Sequence, residues 1–170
     1  MGKINKTPNF LAMSEQLLRD LQSDAEKEGM EFIHNNFHNK GFTDASFEAW
    51  LPKKTDDTFQ LLIKSNHLFN SIDVISSTKD KIVFEASAPY SQIHNEGGVL
   101  NIPITQRSRK YFWKMFSVTG DQKWKAMALT KKERLTVRIP KRQFMGDSET
   151  FRRNWDEKVQ EEIIKRFKQL

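Results

Sequence analysis

Histidines and one short polar corner are the residues whose types and spacing bear on chemistry in this chain. His34 and His38 stand four apart in a helical pattern, a spacing that can bring two imidazoles to one metal ion. No third ligand accompanies them, and Asn35, Asn36 and Asn39 surround them, so a polar helix end is the plainer reading. His94 and Glu96 have the types of an acid–base pair, but without a nucleophile or metal beside them they read as a hydrogen-bonded corner or a subunit contact. The fragments FIHNNFHN and QIHNEGG look like pieces of a His-Asn-His nuclease. Such a site needs a general-base histidine and metal ligands on a strand–strand–helix unit, and here one fragment lies in a helical pattern and the other follows a strand. There is no Ser–His–Asp spacing, P-loop or dinucleotide fingerprint. Cysteine is absent, which excludes disulfides, thiolate catalysis and Cys-ligated metals. The expectation is a chain that is not an enzyme, with no catalytic, cofactor or metal site.

Charge is the second signal. The chain of 170 residues carries +6, yet residues 105–134 hold nine Lys/Arg and two acids, a net of +7. The rest of the chain is close to neutral. The segment interleaves its cations with Tyr111, Phe112, Trp113, Phe116 and Trp124. Basic residues among aromatics can hold phosphates and stack on bases, which makes Arg107, Arg109, Lys110, Lys123, Lys125, Lys131 and Lys132 candidate nucleic-acid contacts. The plainer reading is a solvated, partly amphipathic flap whose aromatics pack on the body or a neighbouring subunit. Non-specific proximity to packaged DNA is compatible with either.

These residues need elements to position them. Residues 1–13 read as an arm. From Ser14, a candidate N-cap, Leu17, Leu18, Leu21, Ala25, Phe32, Ile33 and Phe37 mark one helical stripe, weakened at Gly29 and closed at Gly41. Residues 42–54 read as a linker in which Phe47 and Trp50 are packing anchors. Phe59–Ser65, Ser71–Ser76 and Ile82–Ala86 read as strands, with a turn or short helical step over Asn66–Asn70. Pro89–Gly98, PYSQIHNEGG, is a shaped corner ending in two glycines. Val99–Ile104 is a short strand. The insertion opens with a short helix, QRSRKYFWKMF, and its second half, from Gly120, is expected to be mobile. Leu135, Val137 and Ile139 alternate as a strand. Phe151, Trp155, Val159, Ile163 and Phe167 step by four along a last helix capped by Asp147 or Ser148.

The pattern predicts an α+β fold: an antiparallel meander sheet covered by an N-terminal and a C-terminal amphipathic helix, with a basic insertion before the last strand. Residues 14–170 form one domain. No apolar run approaches the roughly 18 residues of a membrane span, and no secretory signal is visible, so no membrane contact is expected.

Three blocks carry a family resemblance. LLIKSNHLFNSI spans Leu61–Ile72, PYSQIHNEGG spans Pro89–Gly98, and IPKRQFMG spans Ile139–Gly146. In this order they resemble the signature of a phage virion-morphogenesis family, the Mu-like tail-completion proteins, over residues 14–104 and 135–170. The family often has proline between the Arg and Phe of the last block, where this chain has Gln143, and joins the last two blocks by a shorter link than 105–134. The resemblance implies a structural protein of tail completion or head–tail joining, with no catalytic residues. It implies corner or assembly roles for Tyr90, Ile93, His94, Gly97 and Gly98, and for Arg142, Phe144 and Gly146. The expectation is self-association, of which a ring is one form, with partners among tail or connector proteins, and residence in the bacterial host cytoplasm during assembly and then in the virion.

Overall fold

The computed structural model describes residues 9–53 and 60–168. Helix α1 (Phe10–Asn39) is the spine, about 45 Å long at 1.5 Å per residue. Its N-cap is Asn9, whose side chain accepts from the Ala12 amide, so Phe10–Met13 are helical rather than part of an arm. Residues 1–8 of that expected arm lie outside the described residues. Lys40 ends the helix in the left-handed conformation (φ 55°) that the sequence reading gives to Gly41. Gly41 instead begins β1 (Gly41–Thr43), where a Cβ would fall 2.3 Å from the Phe47 ring.

The class is α+β, with an N-terminal and a C-terminal helix. The strands fall into three two-stranded antiparallel ladders rather than one continuous sheet. β1 pairs with β2 (Phe47–Ala49), so the expected linker is a hairpin. β3 (Ile72–Ser77) pairs with β4 (Ile82–Ala86), with a bulge between Val74 and Ser76. β5 (Gly98–Pro103) pairs with β6 (Arg134–Ile139) across the whole insertion. The strand expected at Phe59–Ser65 does not form over its described residues. Phe59 lies outside the described residues and Leu61–Ser65 are turns, with Leu62 and Asn66 at positive φ. Its apolar run is used in folded turns, where Leu61, Leu62 and Ile63 pack against the core.

Helix α5 (Glu149–Lys168) lies antiparallel along α1. Phe151 meets Phe32 at 5.0 Å, Lys158 pairs with Asp24 and Glu28, and Arg166 pairs with Asp20. Ser148 is the cap, its Oγ accepting from the Phe151 amide at 3.0 Å and donating to the Thr43 carbonyl. A strict step of four drifts about 40° per turn from the helical period. That drift accompanies the change from half-buried Phe151 and Trp155 to exposed Ile163 and Phe167.

The core gathers Ile33, Phe37, Trp50, Leu68, Ile72, Ala88 and Phe144. Phe37 and Phe144 have no exposed surface, and their rings lie 4.9 Å apart. Trp50 and Phe69 approach Phe37 edge-on at 5.8 and 5.5 Å. Such edge contacts add about 0.5–1.5 kcal/mol each beyond the area they bury. Gly29 is required by packing: a Cβ there would sit 2.3 Å from Cζ of Phe84, so its absence lets β4 lie against α1.

Candidate functional site

Two regions hold the residues singled out by the sequence. The first is a shoulder where the three blocks converge. In the middle block, the corner contains a short helix, α2 (Ser91–Glu96), and not only a turn. The His67 ring nitrogen Nδ1 lies 2.8 Å from the Tyr90 hydroxyl, linking the first block to the second. The second meets the third through the Arg142 amide, which donates to the His94 carbonyl at 2.8 Å. Asn95 Oδ1 then accepts from the amides of Phe144 and Met145 at 2.9 and 3.1 Å. Trp50 Nε1 donates to the Gln143 carbonyl at 2.7 Å, and buried Asn36 donates to the Phe144 carbonyl at 3.1 Å. The Arg142 guanidinium reaches the Leu51 carbonyl. The turn before Gly146 is thus held by polar groups from α1, the residue after β2, and α2. Buried turn backbone needs such partners, because an unpaired group costs about 1–3 kcal/mol.

Gly97 is placed where only glycine fits. It has φ +74°, and a Cβ would lie 2.7 Å from the Lys141 amide nitrogen. Backbone of the second block therefore touches backbone of the third. Ile93 packs over Gly98, with Cδ1 2.6 Å from where a Cβ would stand, and Gly146 leaves room for the Gln143 side chain.

His94 is half-buried against Tyr90, at 5.9 Å between rings, and its Nδ1 is buried without a hydrogen-bond partner. Burial, with the nearby Arg142 charge as a smaller cause, pushes its pKa below the ordinary histidine value, so the neutral imidazole is favoured. Glu96 does not join it; its carboxylate accepts from Gln92. No acid–base pair forms here. His34 stacks on Phe69 at 4.1 Å, and burial followed by the neighbouring His38 lowers its pKa. His38 approaches the same ring edge-on, so the pair clasps an aromatic residue. Among the described residues, no three His, Asp or Glu side chains are grouped to hold a metal ion, and no helix is long and apolar enough to cross a membrane.

The second region is a projecting arm built from β5, β6 and the insertion. α3 (Gln106–Thr119) starts at a capping box between Thr105 and Ser108. Gly120 ends it, and α4 (Gln122–Leu129) follows, capped by Asp121. The second half expected to be mobile is therefore an ordered helix for most of its length. Trp124 stacks on Phe112 at 6.1 Å and meets Tyr111 edge-on, which closes the helical hairpin. These elements pair with each other and make few contacts with the body. The ribbon's register places Leu100 opposite Val137 and Ile102 opposite Leu135, giving one apolar face. Ile102 is 45% exposed, so that face is uncovered within one chain.

The candidate nucleic-acid contacts separate here. Arg109 donates to the carbonyls of Ala128 and Thr130 at 2.7 and 2.8 Å, locking α3 to the end of α4. Lys123 pairs with Asp121 and lies over Trp124, and Lys125 lies over Phe116. Arg107, Lys110, Lys131 and Lys132 are exposed. Asn36 and Asn95, which hold the shoulder, were not singled out by sequence reasoning. An asparagine two residues before a Gly-Gly pair, able to bind turn backbone, is the signal that points to Asn95. Comparison with known proteins leaves these features to speak for themselves, since no family model, curated protein or solved structure matches the chain.

Proposed function

We propose that this chain is a structural component of phage or prophage virion morphogenesis, acting in tail completion or head–tail joining without catalysis, and working as a self-associated assembly. The observation that carries this reading is the convergence of the three blocks, Leu61–Ile72, Pro89–Gly98 and Ile139–Gly146, on one hydrogen-bonded shoulder beside the core, with a two-stranded arm leaving it at Gly97 and Ile139. A rigid body bearing an uncovered apolar and basic arm suits a part whose remaining burial comes from neighbours. Its place would be the bacterial host cytoplasm during assembly and the finished particle afterwards, among tail or connector proteins.

The test is deletion of the gene in a producing phage followed by electron microscopy of the particles. Aberrant tail length or unjoined heads, restored by the chain in trans, is the expected result. Tails of normal length with normal head attachment would refute the reading. A second reading, non-specific binding of DNA by the arm, is favoured by one observation, the exposed side chains of Arg107, Lys110, Lys131 and Lys132, which have no ion pair among the described residues. A salt-dependent gel shift lost on replacing Lys131 and Lys132 with Gln is its expected signature.

A further inference from the structure

We propose that the outer face of α3 docks on the outer face of α5 in a second copy of this chain, making a head-to-tail contact. The inference rests on the assembly reading above and names its contact. On α3, Arg107, Lys110 and Lys114 recur at steps of three and four, so they share one side of the helix. Tyr111 and Val118 lie on the same side, and Val118 is 74% exposed. None of the three cations has an ion pair or hydrogen bond among the described residues.

The complement lies on α5. That helix turns Phe151, Trp155, Lys158, Glu162 and Arg166 toward α1 and so points Asp156, Glu157, Glu161 and Ile164 outward. The three carboxylates are exposed and also lack partners among the described residues. Arg153 precedes the stripe and Lys165, bonded to Glu162, follows it. These flanking cations confine a basic partner to one register. The two stripes run about 16 Å and about 12 Å, close enough in length to lie along each other. Within one chain α3 packs on α4 and α5 on α1, so the match is made between copies.

Charge complementarity selects a second copy over nucleic acid. A phosphate backbone would engage the cations but would leave Val118 in water and the α5 carboxylates unmatched. Because the two faces differ, the contact is heterologous and closes into a ring or extends as a filament.

The experiment is sedimentation of the full chain over a concentration series, with charge reversals. Arg107→Glu, Lys110→Glu and Lys114→Glu together should weaken self-association by at least about tenfold, because like charges across an interface are strongly unfavourable. Asp156→Lys, Glu157→Lys and Glu161→Lys together should do the same. Mixing the two variants, or combining all six changes in one chain, should restore association. A monomeric wild-type chain, association unmoved by the α3 reversal, or failure of the mixture to associate would overturn the contact. So would weakening by reversal of Asp73 and Glu85, the facing acids on β3 and β4, in place of the α5 set. Loss of DNA retention by the α3 variant with unchanged self-association would give the face to nucleic acid instead. A monomeric wild-type chain would also remove self-association from the assembly reading; in the other cases particle defects in the deletion would persist, so that reading stands or falls separately.

Discussion

The shoulder and the arm are made from adjacent stretches of chain, yet they are held by different physics. The shoulder buries Phe37 and Phe144 completely and gives polar partners to its turn backbone from three separate elements. The arm has ordered caps, a paired ribbon and a closed helical hairpin, but its apolar ribbon face stays in water. A two-stranded ribbon alone is marginal without a covering layer. The body therefore carries its stability internally, whereas the arm leaves apolar ribbon surface exposed.

Five measurements would break or sharpen that contrast. Phe144→Ala should destabilise the chain by about 3–5 kcal/mol in urea, while Ile102→Ala should cost less than about 1 kcal/mol. Equal losses would erase the distinction. Gly97→Ala should cost about 1–3 kcal/mol, since it strains positive φ and drives a methyl into Lys141. Faster amide exchange along β5 and β6 than in the wild type would locate the damage at the arm's root. Asn95→Ala leaves two amides without an acceptor and should cost about 1–3 kcal/mol, with no change in the arm's own exchange rates.

The fourth concerns pH. The folded-state pKa of His94 lies below the ordinary histidine value, so the unfolded chain binds the proton more readily. Stability from this group is present above the ordinary histidine range and is lost as pH falls through it toward the folded pKa. His34 acts in the same direction. Denaturation midpoints followed downward from neutral pH should fall more steeply for the wild type than for His94→Phe; parallel curves would remove His94 from the account. The smallest effect should come from replacing residues 105–132 with Asn-Gly, which closes the ladder at the Ile104–Glu133 hydrogen bond. The body's stability should change by no more than about 0.5 kcal/mol.

How much of this was legible depended on whether the signal was local. The alternation of Leu135, Val137 and Ile139 and the β-branched run Ile82–Ala86 specify strands because side-chain period and backbone geometry agree. FQLLIKS has the composition of a strand, but its described part Leu61–Ser65 serves turns, because positive φ at Leu62 and Asn66 and packing on the core override the run. Gly29 reads as a weak point in a helix; only the approach of Phe84 shows why it is there. At the shoulder, Tyr90, His94 and Arg142 were visible through the spacing of their blocks. Asn36 and Asn95 act across 108 and 49 residues of sequence, a separation no local pattern encodes.

The arm leaves the shoulder as two strands anchored together at Gly97 and by the His94–Arg142 hydrogen bond. Six residues of ribbon reach about 20 Å, so a swing of about 15° at that anchorage would carry the far end about 5 Å. Small adjustments at one pivot would thus carry the ribbon's exposed apolar face through several ångströms, with no change inside the core.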